Sequence, residues 1–381
     1  IRAAGPAALP GVYADFAATT PCLPEAVAAV AEALGSGLGN PGSRQHEAGR
    51  RALAVLDRAR AAVAALINAR PEEIIFTSGA TESLNLAIIG SATRLLATRP
   101  RFVTWAAEHA AVLAAHRALA SAGAEVVHAG LNPNGTYTTP DCDQRTALVS
   151  AMLVNNETGV IQDITAIAAA AHAAGALLCC DATAAIGRVP VDVTALGADL
   201  VAFSGHKFYA PPGCGVLWLR RGLALDPQIH GGGQERGLRS GTPNVPGLAG
   251  LAEAADAARQ DLAARQMHLT ACTTRLEAHL VAALPGLIIH GASAQRAPGT
   301  TMITLPGLPR GWLAQLVRVA ASGGSACSSG EGSHVLRAMG VPAEQAQNAL
   351  RLSLGLTTTA DEVDAIADEV IRAAHRLLDQ Q

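Results

Sequence analysis

Leu200-Val201-Ala202-Phe203-Ser204-Gly205-His206-Lys207 is the stretch that decides the fold. Four apolar residues in a row, bounded by turn formers, read as a buried strand, and four small or polar residues follow at once. Side chains so placed stand at the C-terminal edge of a strand, where open α/β sheets hold ligands. Working outward, similar β-rich runs occur at residues 73–77, 102–105, 125–128, 148–153, 176–180 and 215–219. Helical stretches separate most of them and end on residues such as Asn68, Gly123 and Gly175, where a left-handed cap costs least. This alternation predicts an α/β fold: a mostly parallel seven-stranded sheet with helices on both faces.

Beyond that region one long Ala-rich helical pattern runs over residues 245–284. It leads into a part with fewer and shorter strands, at 300–305 and 350–354, and a terminal helix opened by Thr359 and Glu362 as a capping box. Two domains are expected for a chain of 381 residues. We place a large one at 19–259, and a smaller α+β one at 260–381 together with 1–18.

Composition narrows the function classes. With 28 Lys and Arg against 31 Asp and Glu the formal charge is −3, which gives no electrostatic reason for direct contact with nucleic acid or an anionic membrane. The Ala-rich run 164–180 is interrupted by His172 and Gly175, so no membrane-spanning segment is expected. Residues 1–11 lack an apolar segment and do not read as a signal peptide. Seven scattered cysteines without C-x-x-C spacing argue against disulfides and structural zinc, and for a reducing, cytoplasmic setting. The P-loop, the G-x-G-x-x-G fingerprint and H-E-x-x-H are all absent, and no metal site is expected.

Four strand-end features have complementary chemistry. Lys207 is the only lysine in the chain and suits a Schiff-base role. Asp181 follows another apolar run 26 residues earlier, and a carboxylate there can keep a pyridine nitrogen protonated. Thr77-Ser78-Gly79-Ala80-Thr81-Glu82 takes a strand through Gly into a helix, an arrangement whose free N–H groups bind phosphate, with the Thr81 hydroxyl beside them. Glu108-His109 follows residues 102–105 and can lay an imidazole over a flat ring. Each alone has a plain structural explanation, such as a cap or a solvated lysine; together they point to pyridoxal phosphate.

Ala80-Thr81-Glu82-Ser83, Val154-Asn155-Asn156-Glu157, Asp181-Ala182-Thr183, Ser204-Gly205-His206-Lys207, Arg239-Ser240-Gly241-Thr242 and Ser325-Ala326-Cys327 follow one another in this order along the chain. In these motifs the chain resembles the cysteine desulfurases of the NifS/IscS type, homodimeric enzymes with the pyridoxal-phosphate fold-type I (class V aminotransferase) architecture. The resemblance implies that Lys207 carries the cofactor, Asp181 partners its pyridine nitrogen, and His109 stacks on it and moves protons. It implies a phosphate cradle of Ala80, Thr81, Ser204 and His206, with Thr242 donated by a neighbouring subunit, and places Asn156 near the phenolic oxygen. Asn40 and Arg351 would hold the carboxylate of L-cysteine, a task that suits the planar Arg fork. Cys327, in the Gly/Ser-rich stretch 322–330, would be the nucleophile that takes sulfur as a persulfide and hands it to an acceptor protein. A Gly/Ser-rich mount fits that task.

Two departures from the family pattern stand out. Ala184 occupies the place of a Gln that usually donates to the phenolic oxygen, and the segment after Cys327 is shorter than in the long-loop type. Other readings therefore stay open: another enzyme of the fold, such as a selenocysteine lyase or an aminotransferase, or a cofactor-containing sulfur-transfer scaffold of weak activity. Iron–sulfur assembly, tRNA thiolation and DNA phosphorothioation are the pathways such an enzyme could serve, with some likeness to the phosphorothioation branch.

Overall fold

The computed structural model describes residues 11–324 and 332–379; Cys327 lies outside the described residues. Seven strands form the main sheet: β2 (Ile74–Thr77), β3 (Arg101–Trp105), β4 (Glu125–Ala129), β5 (Thr146–Met152), β6 (Leu177–Asp181), β7 (Leu200–Ser204) and β8 (Gly215–Leu219). Their order is β2-β8-β7-β6-β5-β3-β4, with only β8 antiparallel to its neighbours. Every residue of β5 and β7 is buried, as expected of strands covered on both faces. Helices Glu47–Leu66, Ile164–Ala173 and Val245–Gln260 pack in the core on one face; Ala80–Leu95 and Ala110–Ser121 pack on the other.

Strand order reverses between β3 and β5, because β4 continues to one side of the sheet while β6 and β7 continue to the other. The crevice at such a switch point is open at the strands' C-terminal ends. Since β8 is antiparallel to both β2 and β7, the C-terminal end of β2 lies at that same edge. Thr77, Gly215 and Ser204 are therefore in register across three strands. Gly215 is required there: a Cβ would collide with Thr77 Oγ1 and the Gly79 backbone.

A second core forms where helices Leu262–Ala283 and Ala360–Leu378 pack on a three-stranded sheet of β9 (Ile288–Ile289), β10 (Thr300–Thr304) and β12 (Leu350–Ser353). In the last helix Val363, Ile366, Ala367, Val370, Ala373 and Ala374 make one buried stripe at helical spacing. Thr359 and Glu362 form the expected capping box. Near the N-terminus, β1 (Val12–Tyr13) pairs in parallel with β11 (Val319–Ala320).

The long helix expected over 245–284 is in fact two, Val245–Gln260 and Leu262–Ala283, broken at Asp261. Asp261 ends the first by donating its N–H to Ala257 O, and its own carbonyl accepts from Arg265. The break lets the first helix serve the large core and the second the small one. The two-residue strands β1, β9 and β11 are also additions, too short to leave a periodic signal.

Gly215→Ala is expected to destabilise the fold by about 1–3 kcal/mol, the usual cost of forcing atoms into a packed site. Urea denaturation measures it; an unchanged midpoint would show that the turn at Gly79 yields freely.

Candidate active site

At the crevice lies a cavity of about 460 Å³. Its wall is assembled from strand ends and the turns after them: His109 after β3, Met152 at the end of β5, Asp181 ending β6, and Ser204, His206 and Lys207 after β7. Ala80, Thr81, Asn156 and Arg351 complete it. Nine of the residues singled out from the sequence thus meet around one space. Thr242 does not line it but lies in an adjoining cavity of about 200 Å³ with Arg239 and Glu235. Asn40 is exposed, its side chain accepting from Gly42 N–H at 2.9 Å, and it lines neither cavity.

Lys207 is held by two backbone carbonyls, donating to Ala17 O at 2.6 Å and Ala18 O at 2.7 Å. Burial, together with the nearby Arg351 and Arg188, lowers its pKa to about 8. An amine so poised is partly neutral near pH 8 and can attack a carbonyl. Burial and the Lys207 charge push His206 down to about 4, so its ring is neutral, with Nδ1 3.1 Å from Thr19 Oγ1. Asp181 is buried and accepts from Thr183 N–H at 2.9 Å.

His109 caps the helix Ala110–Ser121, its Nδ1 accepting from Ala111 N–H. Burial lowers its pKa, and a neutral ring that accepts at Nδ1 carries its proton on Nε2. Behind it Glu108 is fully buried; its Oε1 accepts from Met152 N–H at 2.7 Å and from Tyr137 O–H at 2.8 Å. Desolvation raises this carboxyl to about 8, so it is protonated at neutral pH. Tyr137 in turn stacks on Trp105.

The helix Ala80–Leu95 begins at Gly79 with no side chain capping it, which leaves its first N–H groups directed at the cavity rim. Arg351 is almost wholly buried and donates to Asn156 O at 3.0 Å and to Asp15 Oδ1 at 2.8 Å, while its Nε has no partner. Asn156 Oδ1 and Thr183 Oγ1 are likewise buried without partners. Glu108, Asp15 and Thr183 were not assigned roles from sequence. Thr183 adjoins a recognisable motif, whereas Asp15 meets Arg351 across 336 positions and has no local signal.

A larger, more open cavity of about 800 Å³ lies at the opposite edge of the sheet, beside the starts of β6 and β7. Its buried carboxylate, Asp199, is already committed to His172, Arg220 and Leu178 N–H. The crevice, with its unpartnered polar atoms and buried amine, is the place with chemistry to spare.

All six described cysteines are free, and burial raises every one of their thiols. Cys214 is pushed to about 12, and Cys179 and Cys180 are raised strongly. None is set up as a thiolate near neutral pH.

A buried lysine and a carboxylate on neighbouring strand ends, under an uncapped helix N-terminus, define the fold-type I class of pyridoxal-phosphate proteins. Residues 12–366 match the class-V aminotransferase family, and the chain belongs to it. A protein named cysteine desulfurase from Frankia sp. (strain EuIK1) is 43% identical over 96% of this chain and 92% of its own length. The solved structure of a NifS-like protein superposes with a TM-score of 0.90 at 33% identity, covering 96% of this chain and all of that one. The crystal structure of DndA from Streptomyces lividans gives 0.77 at 37% identity, covering 89% and 98%. Members of the family use pyridoxal phosphate, and the residues here fit it: one amine, one carboxylate, a free helix start, and unpartnered polar atoms on Asn156 and Thr183.

Because Lys207 is the sole lysine, amine labelling of cofactor-free protein reports on it and on the chain's N-terminal amine alone. Its labelling rate is expected to rise with a midpoint near pH 8; a midpoint above 10 would contradict the burial argument. Glu108 gives a stability test. Its proton is kept in the fold and lost on unfolding between pH 4.5 and about 8, so its contribution is complete below 4.5 and fades as pH rises to about 8. Glu108→Gln keeps an acceptor for both donors without an ionisable group. It is expected to gain stability on wild type between pH 5 and 8 in thermal melts; parallel curves would mean that Glu108 is ionised in the fold.

Proposed function

We propose that the protein is a pyridoxal-phosphate-dependent L-cysteine desulfurase that forms L-alanine and holds the released sulfur on Cys327 as a persulfide. The observation that carries this reading is the pairing of Lys207 and Asp181 around one buried cavity, in a chain 43% identical to a protein named cysteine desulfurase. Bound pyridoxal phosphate supplies an electron sink for the pair left when the substrate Cα–H bond breaks.

The chain's own residues provide the rest. Lys207 would carry the cofactor at rest and, once the substrate amine has replaced it, accept the Cα proton at Nζ, a role its lowered pKa supports. Asp181 would keep a proton on the pyridine nitrogen. Ala80, Thr81, Ser204 and His206 would receive the phosphate at the helix start, and Asn156 the phenolic oxygen. His109, neutral with its proton on Nε2, would stack on the ring and return a proton in the later steps. Arg351 and Asn40 would orient the substrate carboxylate, although Asn40 is drawn toward Gly42 in this structure. Cys327 thiolate takes the substrate sulfur as the C–S bond breaks. One cysteine then becomes one alanine, and the enzyme thiol becomes a persulfide.

Thr242 lies in the adjoining cavity, which supports its reading as a group donated across a homodimer. A large domain at 19–259 and a small one carrying Cys327 fit the two cores. Among the described residues no helix is long and apolar enough to cross a membrane. We place the protein in the cytoplasm because the six described thiols are free. Sulfur would leave through an acceptor protein, since a net charge of −3 offers nothing to nucleic acid directly. The likeness to DndA supports the phosphorothioation branch suggested from the sequence.

Wild type given L-cysteine and a reductant is expected to release equimolar alanine and sulfide, and Lys207→Ala neither. Cys327→Ser should still change the visible spectrum of the bound cofactor when L-cysteine is added, yet make no alanine. A hydroxyl is essentially un-ionised near neutral pH, whereas a thiol of pKa about 8.5 is partly thiolate. Wild-type alanine release by Cys327→Ser would rule out that residue as nucleophile.

A further inference from the structure

Two cations of the cavity are governed by one short turn. Asp15, Phe16, Ala17 and Ala18 fold back with Ala18 N–H donating to Asp15 O at 2.9 Å. Within it Ala17 O and Ala18 O accept from Lys207, and Asp15 Oδ1 accepts from Arg351 Nη2. Ser322 Oγ donates to the same Asp15 oxygen at 3.1 Å. The turn is firmly seated: Phe16 N–H donates to Ser353 O, Ala17 N–H to Ser353 Oγ at 2.8 Å, and the Phe16 ring lies where a Cβ on Gly355 would have to go.

Charge is unevenly distributed around Arg351. Arg351 is near enough to Lys207 and Arg188 to depress both, and Arg188 also depresses Lys207. Asp15 is the one carboxylate ion-paired with Arg351 among the described residues. Arg351 keeps Nε unpartnered while Asn156 O and Ser322 Oγ hold the rest of its fork. A carboxylate on Arg351 in the absence of substrate resembles the substrate's own carboxylate in charge and geometry.

Resting on the reading of Arg351 as the substrate-carboxylate residue, we infer that Asp15 is an internal counter-ion that competes with the substrate carboxylate for Arg351 and sets its affinity. Substrate entry must share or take Arg351 from Asp15, so neutralising Asp15 strengthens carboxylate binding. The bonds that Arg351 donates to Asn156 O and Ser322 Oγ keep the guanidinium in place in its absence.

Asp15→Asn removes the charge and retains an oxygen for Arg351. The probe is 3-mercaptopropionate, which has the thiol and carboxylate of the substrate but no amine, titrated by calorimetry into holoenzyme. The neutral 3-mercapto-1-propanol is the control. Asp15→Asn is expected to bind the carboxylate on the order of tenfold more tightly than wild type and the alcohol equally, with KM for L-cysteine falling and kcat changing less. A purely structural Asp15 would leave carboxylate binding unchanged or weaker, and either result overturns the inference. If wild type binds the carboxylate no better than the alcohol, the reading of Arg351 falls and this inference with it. If wild type discriminates but the variant gains nothing, only the role of Asp15 falls. Asp15→Ser, also uncharged, serves the same comparison should the Asn variant misfold.

Discussion

Burying the Lys207 ammonium is the constraint on which much else depends. A charge taken out of water must be met by dipoles or counter-charge. Here the dipoles are two carbonyls from the turn at residues 15–18, nearly two hundred positions away in sequence. Those carbonyls are available only because the turn is pinned on β12 through Ser353, and β12 also carries Arg351. The strand ends of the large sheet and the edge of the small one are thereby tied to a single cation. Burial and the neighbouring Arg351 and Arg188 lower the Lys207 pKa to about 8, while the two carbonyls work in the other direction and hold its ammonium in place.

Polar groups behind the cavity follow a complementary logic. Glu108 could not be buried as an anion without a counter-charge, and it is met by only Met152 N–H and Tyr137 O–H on one oxygen. Keeping the proton is the cheaper solution. The neutral acid then braces the turn from β3 to His109 without placing another negative charge beside Asp181. His334 Nε2 meets Glu108 O at 2.9 Å, and Ser333 donates to the buried Glu157. The start of the helix His334–Ala338 is thus anchored to the turn that holds His109.

How much of this was legible depends on range. Lys207, Asp181 and Gly79–Thr81 announce themselves because each follows its own strand, and strand-then-turn is a local pattern; all seven main strands fall within a residue or two of where the pattern puts them. The break at Asp261 was hidden because Ala-rich sequence on both sides is helical whichever core it serves. The ion pair of Asp15 with Arg351 and the bond of Tyr137 to Glu108 join residues whose neighbours in sequence say nothing about each other. Such pairs are fixed by tertiary packing, and only coordinates expose them. Thr242 and Asn40, named through resemblance, stand outside the main cavity, so their motifs identify them without fixing where they act.

Ala184 shows how a departure from a family pattern is absorbed locally. It lines the main cavity and also a small adjoining one of about 20 Å³, shared with Asn156, Thr183 and Arg188. Roughly 10–15 Å³ of free volume suffices for one water, provided polar partners surround it. Two such partners are at hand, since Asn156 Oδ1 and Thr183 Oγ1 are both buried and unsatisfied by protein. A long amide at 184 would take up this space and offer a donor of its own; a methyl group leaves the space and withdraws the donor. Hydrogen bonding on that wall must then come from Asn156, from Thr183 or from solvent, and a methyl makes no demand on the backbone in exchange. Ala184 therefore leaves the buried polar atoms of Asn156 and Thr183 on that wall to be met by something other than its own side chain.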